Sequence, residues 1–197
     1  FHFDQTSPPD KRVCFAGTKD GVWRSDDGGA AWVEKSAGLP WRELRGFCGG
    51  SNAKDKTVAL YCAIPSKNEG GQLAGGVYRS LDKGEHWEPA MGAGINKETK
   101  RSDEWSADLA NYYQVLTTNV KPLTVWTYNS GTKVLPPHHC TAFRSDDGGK
   151  SWRATFFGDP RSKECNVEYD YQVTATGQHY PAAPYGAAID PHNPDHV

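Results

Sequence analysis

One eleven-residue pattern occurs three times along the chain, and this recurrence limits the fold more than any other feature. Val22-Trp23-Arg24-Ser25-Asp26-Asp27-Gly28-Gly29-Ala30-Ala31-Trp32 returns as Val77-Tyr78-Arg79-Ser80-Leu81-Asp82-Lys83-Gly84-Glu85-His86-Trp87. It returns again as Ala142-Phe143-Arg144-Ser145-Asp146-Asp147-Gly148-Gly149-Lys150-Ser151-Trp152. The shared core is aromatic-Arg-Ser-x-Asp-x-Gly-x-x-Trp, with its serines 55 and 65 residues apart. A repeat of this period, with spacers of unequal length, specifies a row of equivalent supersecondary units.

Each position has a mechanical role. The residues before Ser25, Ser80 and Ser145 alternate as a strand. The Ser and Asp oxygens accept hydrogen bonds from N–H groups inside a turn, and Gly29, Gly84 and Gly149 supply the positive φ that reverses the chain. Trp32, Trp87 and Trp152 open the returning strand and bury a large apolar area. On this reading Asp27, Asp82 and Asp147 are turn residues rather than catalytic acids, and Arg24, Arg79 and Arg144 are structural with them. Upstream of each pattern lie two further strand candidates, for example Leu44 to Cys48 and Val58 to Ala63 before the second. Each unit is then a four-stranded antiparallel meander, A-B-C-D, with the repeated pattern at the C–D turn.

The pattern resembles the Asp box, or bacterial neuraminidase repeat, of sialidases, some xyloglucanases, sortilin-like receptors and a photosystem II assembly factor. The resemblance implies an all-β fold of β-propeller blades. The expected blades are about 1–35, 43–89 and 111–154, with loop insertions at 88–111 and 153–185. Residues 185–197 read as the first strand of a fourth blade, with Asp190-Pro191-His192-Asn193-Pro194-Asp195 as its A–B turn. Three blades and a strand do not close a ring. Further blades are therefore expected from the rest of a longer protein or from another chain.

Composition narrows the function. A formal net charge of −2 gives no basic footprint for nucleic acid or an acidic membrane. No apolar run approaches the ~20 residues that span a bilayer. The five cysteines form no CxxC pair. Cys140 and Cys165 are the expected disulfide, at the loop end of the third blade, with the extracellular or periplasmic location where such a bond persists. Cys14, Cys48 and Cys62 read as buried thiols, Cys48 and Cys62 on facing strands. His138-His139-Cys140, with Cys165 or His179, matches no established metal spacing, so neither metal nor cofactor is expected.

The meander puts A–B turns and Asp boxes at one end of every blade, and B–C and D–A loops at the other. The long insertions, 66–76, 88–111, 129–139 and 153–185, all fall at the second end, where binding sites commonly develop. Asp103, Trp105, Asp108, Asp170 and His179 are the candidate ligand-binding residues, since aromatic rings beside carboxylates suit a sugar or a protein loop. The expected function is non-catalytic binding of a protein or carbohydrate. Two alternatives stand beside it: part of a sialidase-like or xyloglucanase-like glycoside hydrolase using a carboxylate pair, or a subunit of a larger complex docking by its open edge.

Overall fold

The structure is a computed structural model that describes residues 1–95, 112–129, 133–135, 138–157 and 187–197. Its strands form three antiparallel sheets. The first holds β1 (His2–Phe3), β2 (Cys14–Thr18), β3 (Gly21–Ser25) and β4 (Val33–Glu34) in chain order. The second holds β5 (Gly46–Ser51), β6 (Val58–Glu69), β7 (Gln72–Ser80) and β8 (Glu88–Pro89). The third holds β9 (Tyr112–Thr117), β10 (Val125–Asn129), β12 (His138–Ser145) and β13 (Arg153–Phe157), with β11 (Lys133–Leu135) added beside β12. These are blades: all-β, open rather than closed, in the A-B-C-D order of the sequence pattern.

The three C–D hairpins share one register. Trp23 pairs with Glu34, Tyr78 with Pro89 and Phe143 with Ala154, each an aromatic against the residue eleven positions on. The B strands run through the middle and are buried on both faces, so Val58 to Ile64 is a continuous apolar run rather than an alternating one.

The apolar core lies in the seams between sheets. Phe15 and Val22 meet Leu60, Cys62, Tyr78 and Trp87 in the first seam. Ala59, Tyr61 and Val77 meet Val115, Val125, Phe143 and Trp152 in the second. The second and third Asp-box tryptophans hook the main chain of the preceding blade. The Trp87 indole donates to Lys35 O (2.8 Å) and its main-chain N–H to Ala37 O (2.8 Å). Trp152 repeats this with Ala90 O (2.9 Å) and Ala93 O (2.7 Å). Gly38 and Gly94 follow those acceptors at φ +94° and +84°, where a Cβ would collide with the tryptophan carbonyl. Burying one such ring contributes about 5 kcal/mol of gross transfer free energy.

Three expectations are revised. Residues 66–76 are not a loop: β6 and β7 run on as a ribbon to a two-residue turn at Gly70-Gly71, both at positive φ. Cys48 and Cys62 do not face each other, because Cys48 pairs with Tyr61 and Cys62 with Phe47, on opposite faces of one sheet; both thiols are free. Residues 187–197 pair with no strand among the described residues. They are nonetheless seated on the third sheet. Trp126 Nε1 donates to Pro194 O (2.9 Å), as Tyr61 Oη donates to Pro122 O (3.0 Å) one blade earlier. Ala187 and Ile189 pack on Trp126, Tyr128 and Ala142.

Candidate functional site

The box turns are saturated by their own side chains and main chain. Asp27 Oδ1 accepts from Ser25 Oγ (2.7 Å) and from the N–H groups of Ala30 and Ala31 (both 3.0 Å). Ser25 Oγ in turn accepts from Gly29 N (2.8 Å). Ser80, Asp82 and Gly84 repeat the cage, with His86 N–H as a donor, and Ser145, Asp147 and Gly149 repeat it with Ser151. Burial works against charge on Asp147, but the Ser151 hydroxyl and N–H, Ser145 and the Lys150 N–H hold its pKa down to about 2. Asp27 and Asp82 are lowered as well, Asp27 chiefly by the Ala31 N–H, Asp82 by His86 and Ser80 against its partial burial.

The box arginines tie each blade to the next element. Arg24 reaches Glu85 of the second box (3.1 Å), Arg79 reaches Gly148 O of the third (2.6 Å), and Arg144 pairs with Asp195 of the tail. Lys83 stands at φ +60°, where the other boxes have Gly28 and Gly148. Its ammonium pairs with the buried Asp4 of the first blade (2.9 Å), which offsets the strain. A small cleft of about 220 Å³ at this end is lined by Asp55, Lys121, Thr124 and Asp146. Its acids are already partnered, Asp55 with Thr57 N (2.9 Å) and Asp146 with Arg144 (2.7 Å).

At the opposite end, the connector from β4 to β5 builds a cleft of about 450 Å³ lined by Glu34, Ser36, Ala37, Leu39, Pro40, Trp41 and Arg42. The positive φ at Gly38 tucks the connector beneath Trp87, and Leu39, Trp41 and Leu44 pack on the first seam. Arg42 Nε pairs with Glu34 (2.8 Å) across the rim. Lys67, from the β6–β7 ribbon, sits 5.0 Å above the Trp41 ring and 3.9 Å from Glu43. The Trp41 indole N–H is buried and has no hydrogen-bond partner among the described residues. An aromatic surface, a mixed-charge rim and an unspent donor are the parts of a recognition site.

Asp103, Trp105, Asp108, Asp170, His179 and Cys165 lie outside the described residues. Cys140 falls within β12, and its side chain is not described. Trp41 and Arg42 escaped the sequence reading because they occupy a short connector rather than an insertion. The sequence signal was Gly38-Leu39-Pro40 followed by Trp-Arg-Glu, an aromatic among charges just after a chain reversal. Among the described residues no three His, Cys, Asp or Glu side chains are grouped to hold a metal ion, and no helix is long and apolar enough to cross a membrane.

The BNR/Asp-box repeat family matches residues 143–154, the third hairpin. No curated protein matches the chain. Among solved structures, an ancestral GH74 enzyme aligns with 81% of this chain and 18% of its own at 18% identity and a TM-score of 0.45. YCF48 bound to a D1 peptide aligns over 74% of this chain and 38% of its own, at 12% identity and a TM-score of 0.43. The GH74 xyloglucanase from Xanthomonas campestris aligns over 72% and 28%, at 15% identity and a TM-score of 0.30. The chain thus spans well under half the length of each of these proteins.

Proposed function

We propose that this chain, with its three Asp-box blades, is a binding region that recognises a protein or carbohydrate ligand through the end built by its B–C and D–A loops, without catalysing a reaction. The observation that carries the reading is the contrast in unspent polar groups. The box acids are consumed by turn N–H groups, whereas the cleft beside Trp41 keeps a buried donor with no partner among the described residues. A glycosidic general acid needs a raised pKa. Every described carboxyl whose pKa moves is lowered instead: Asp4, Asp27, Asp55, Asp82, Asp147 and Asp195.

Asp103, Trp105, Asp108, Asp170 and His179 extend the proposed ligand surface. A Cys140–Cys165 bond and an extracellular or periplasmic setting go with it, read by intact mass with and without reductant. The test screens the folded chain against a glycan microarray and a displayed peptide library, then repeats each hit with variants. Arg42→Ala and Trp105→Ala should weaken binding about tenfold, and Asp27→Ala should leave the folded fraction's affinity unchanged. Hydrolysis of a bound glycan, or loss of binding through Asp27 alone, would overturn the reading.

A further inference from the structure

The joints by which the chain leaves the first two blades cap the same main-chain N–H with different side chains. In the first blade Val22, which follows Gly21, accepts from Lys35 N (2.7 Å) and donates its own N–H to Ser36 Oγ (3.0 Å). In the second, Val77 follows Gly76, accepts from Ala90 N (2.8 Å) and donates to Met91 Sδ (3.2 Å). Both glycines stand at positive φ, and a Cβ on either would collide with the capping side chain. Met91 is thus the counterpart of Ser36, and it is the chain's only methionine. A hydroxyl in this place is inert to mild oxidants, whereas a thioether is not.

Met91 is half-buried and packs against the core of the second seam. Val77 is fully buried, so its N–H has no water to turn to. An oxygen added to the sulfur cannot stand between Sδ and that N–H, because an N–H···O bond alone needs about 2.9 Å. The sulfoxide must therefore shift the side chain, and the joint with it. That joint also carries the third blade. Ala90 O and Ala93 O hold Trp152, while Gly92 N and Ala93 N donate to Gly149 O (3.0 Å) and Lys150 O (3.1 Å).

We propose that Met91 is an oxidation site, with a hydroperoxide as its substrate, whose sulfoxide loosens the second seam and leaves the first, joined through Ser36, intact. The sulfur lone pair attacks one peroxide oxygen, and an S–O bond forms as the O–O bond breaks. Sulfur loses two electrons to the peroxide. The departing oxygen takes the proton of the transferred one and leaves as water or, from an organic hydroperoxide, as an alcohol. The described thiols compete poorly: burial pushes Cys14, Cys48 and Cys62 up, and the thiolate is their reactive form.

The test exposes the whole folded chain to hydrogen peroxide and locates the added oxygen by peptide mass spectrometry. One oxygen at Met91 is expected, with Tm lowered by about 5 °C. Hydrogen exchange should rise across 76–79, 90–95 and 148–153 but not across 21–24 and 34–39. Methionine sulfoxide reductase should reverse all of these changes. Met91→Ser, which copies the first joint, should keep its Tm in peroxide. Met91→Leu, which keeps the apolar bulk without the acceptor, should show the lower Tm with or without peroxide. Three results would each overturn the inference. One is a Met91 left unoxidised by peroxide that fully converts free methionine. Another is an oxygen at Met91 with Tm and seam exchange unchanged. The third is a Met91→Ser chain that loses as much Tm in peroxide as the unaltered chain.

Discussion

The two ends of the blades use the same residue types to opposite effect. At the box end, the acid of each box is spent on turn N–H groups, and Trp87 and Trp152 on carbonyls of the neighbouring blade. At the loop end, Trp41 sits among Glu34, Arg42, Glu43 and Lys67 with its indole N–H unspent. Satisfied polar groups hold a fold together, and unsatisfied ones beside a cleft leave free energy for a ligand to recover. The comparison teaches that the conspicuous repeated residues are the scaffold, while the proposed binding chemistry sits in a connector without a repeat signature.

The comparison breaks most visibly at the seams. Trp152→Ala should lower unfolding free energy by about 3–5 kcal/mol in urea titration, because it removes both a buried ring and an interblade hook. The same change at Trp32, whose indole makes no bond across a seam among the described residues, should cost a small fraction of that in the chain alone. Gly38→Ala should cost about 1–3 kcal/mol, since the residue must keep a positive φ under the Trp87 carbonyl. Neither tryptophan change should alter ligand affinity of the folded fraction.

Acid sharpens the contrast. The Asp147 carboxyl titrates at about 2 in the folded chain, against about 3.9 when unfolded. Its stabilisation is therefore complete above about pH 4 and lost as pH falls towards 2, and Asp147→Asn should shrink that limb of the stability curve. His2 acts earlier. Burial depresses its pKa to about 4, beside Asp4, so the unfolded chain binds the extra proton between about pH 6.5 and 4. Stability should decline across that window as pH falls, and His2→Leu should flatten the slope. Arg42→Ala is the smallest perturbation of the fold, within about 0.5 kcal/mol, because its side chain is 69% exposed.

How much was legible in the sequence follows from how local each feature is. The boxes were readable because serine, aspartate and glycine act within a few residues of one another. The tail's Asx turn was readable for the same reason: His192 N–H donates to Asp190 Oδ1 (2.8 Å) and Asp195 N–H to Asn193 Oδ1 (3.1 Å). Its first strand was not, since a ladder needs a partner strand that local chemistry does not supply. The facing of Cys48 and Cys62 turned on strand register, where a slip of one residue exchanges the faces. Trp41 escaped because its surroundings, Lys67 above and Glu34 beside, come from distant elements brought together only by the fold.

The most direct test of this division of labour is a footprint. Hydrogen–deuterium exchange is measured on the whole chain, alone and saturated with the best ligand from the array and library screen. Protection confined to peptides spanning residues 34–45 and 66–76, together with 96–111 and 158–186, is the predicted result. Protection centred on the boxes at 25–32, 80–87 and 145–152 would contradict it.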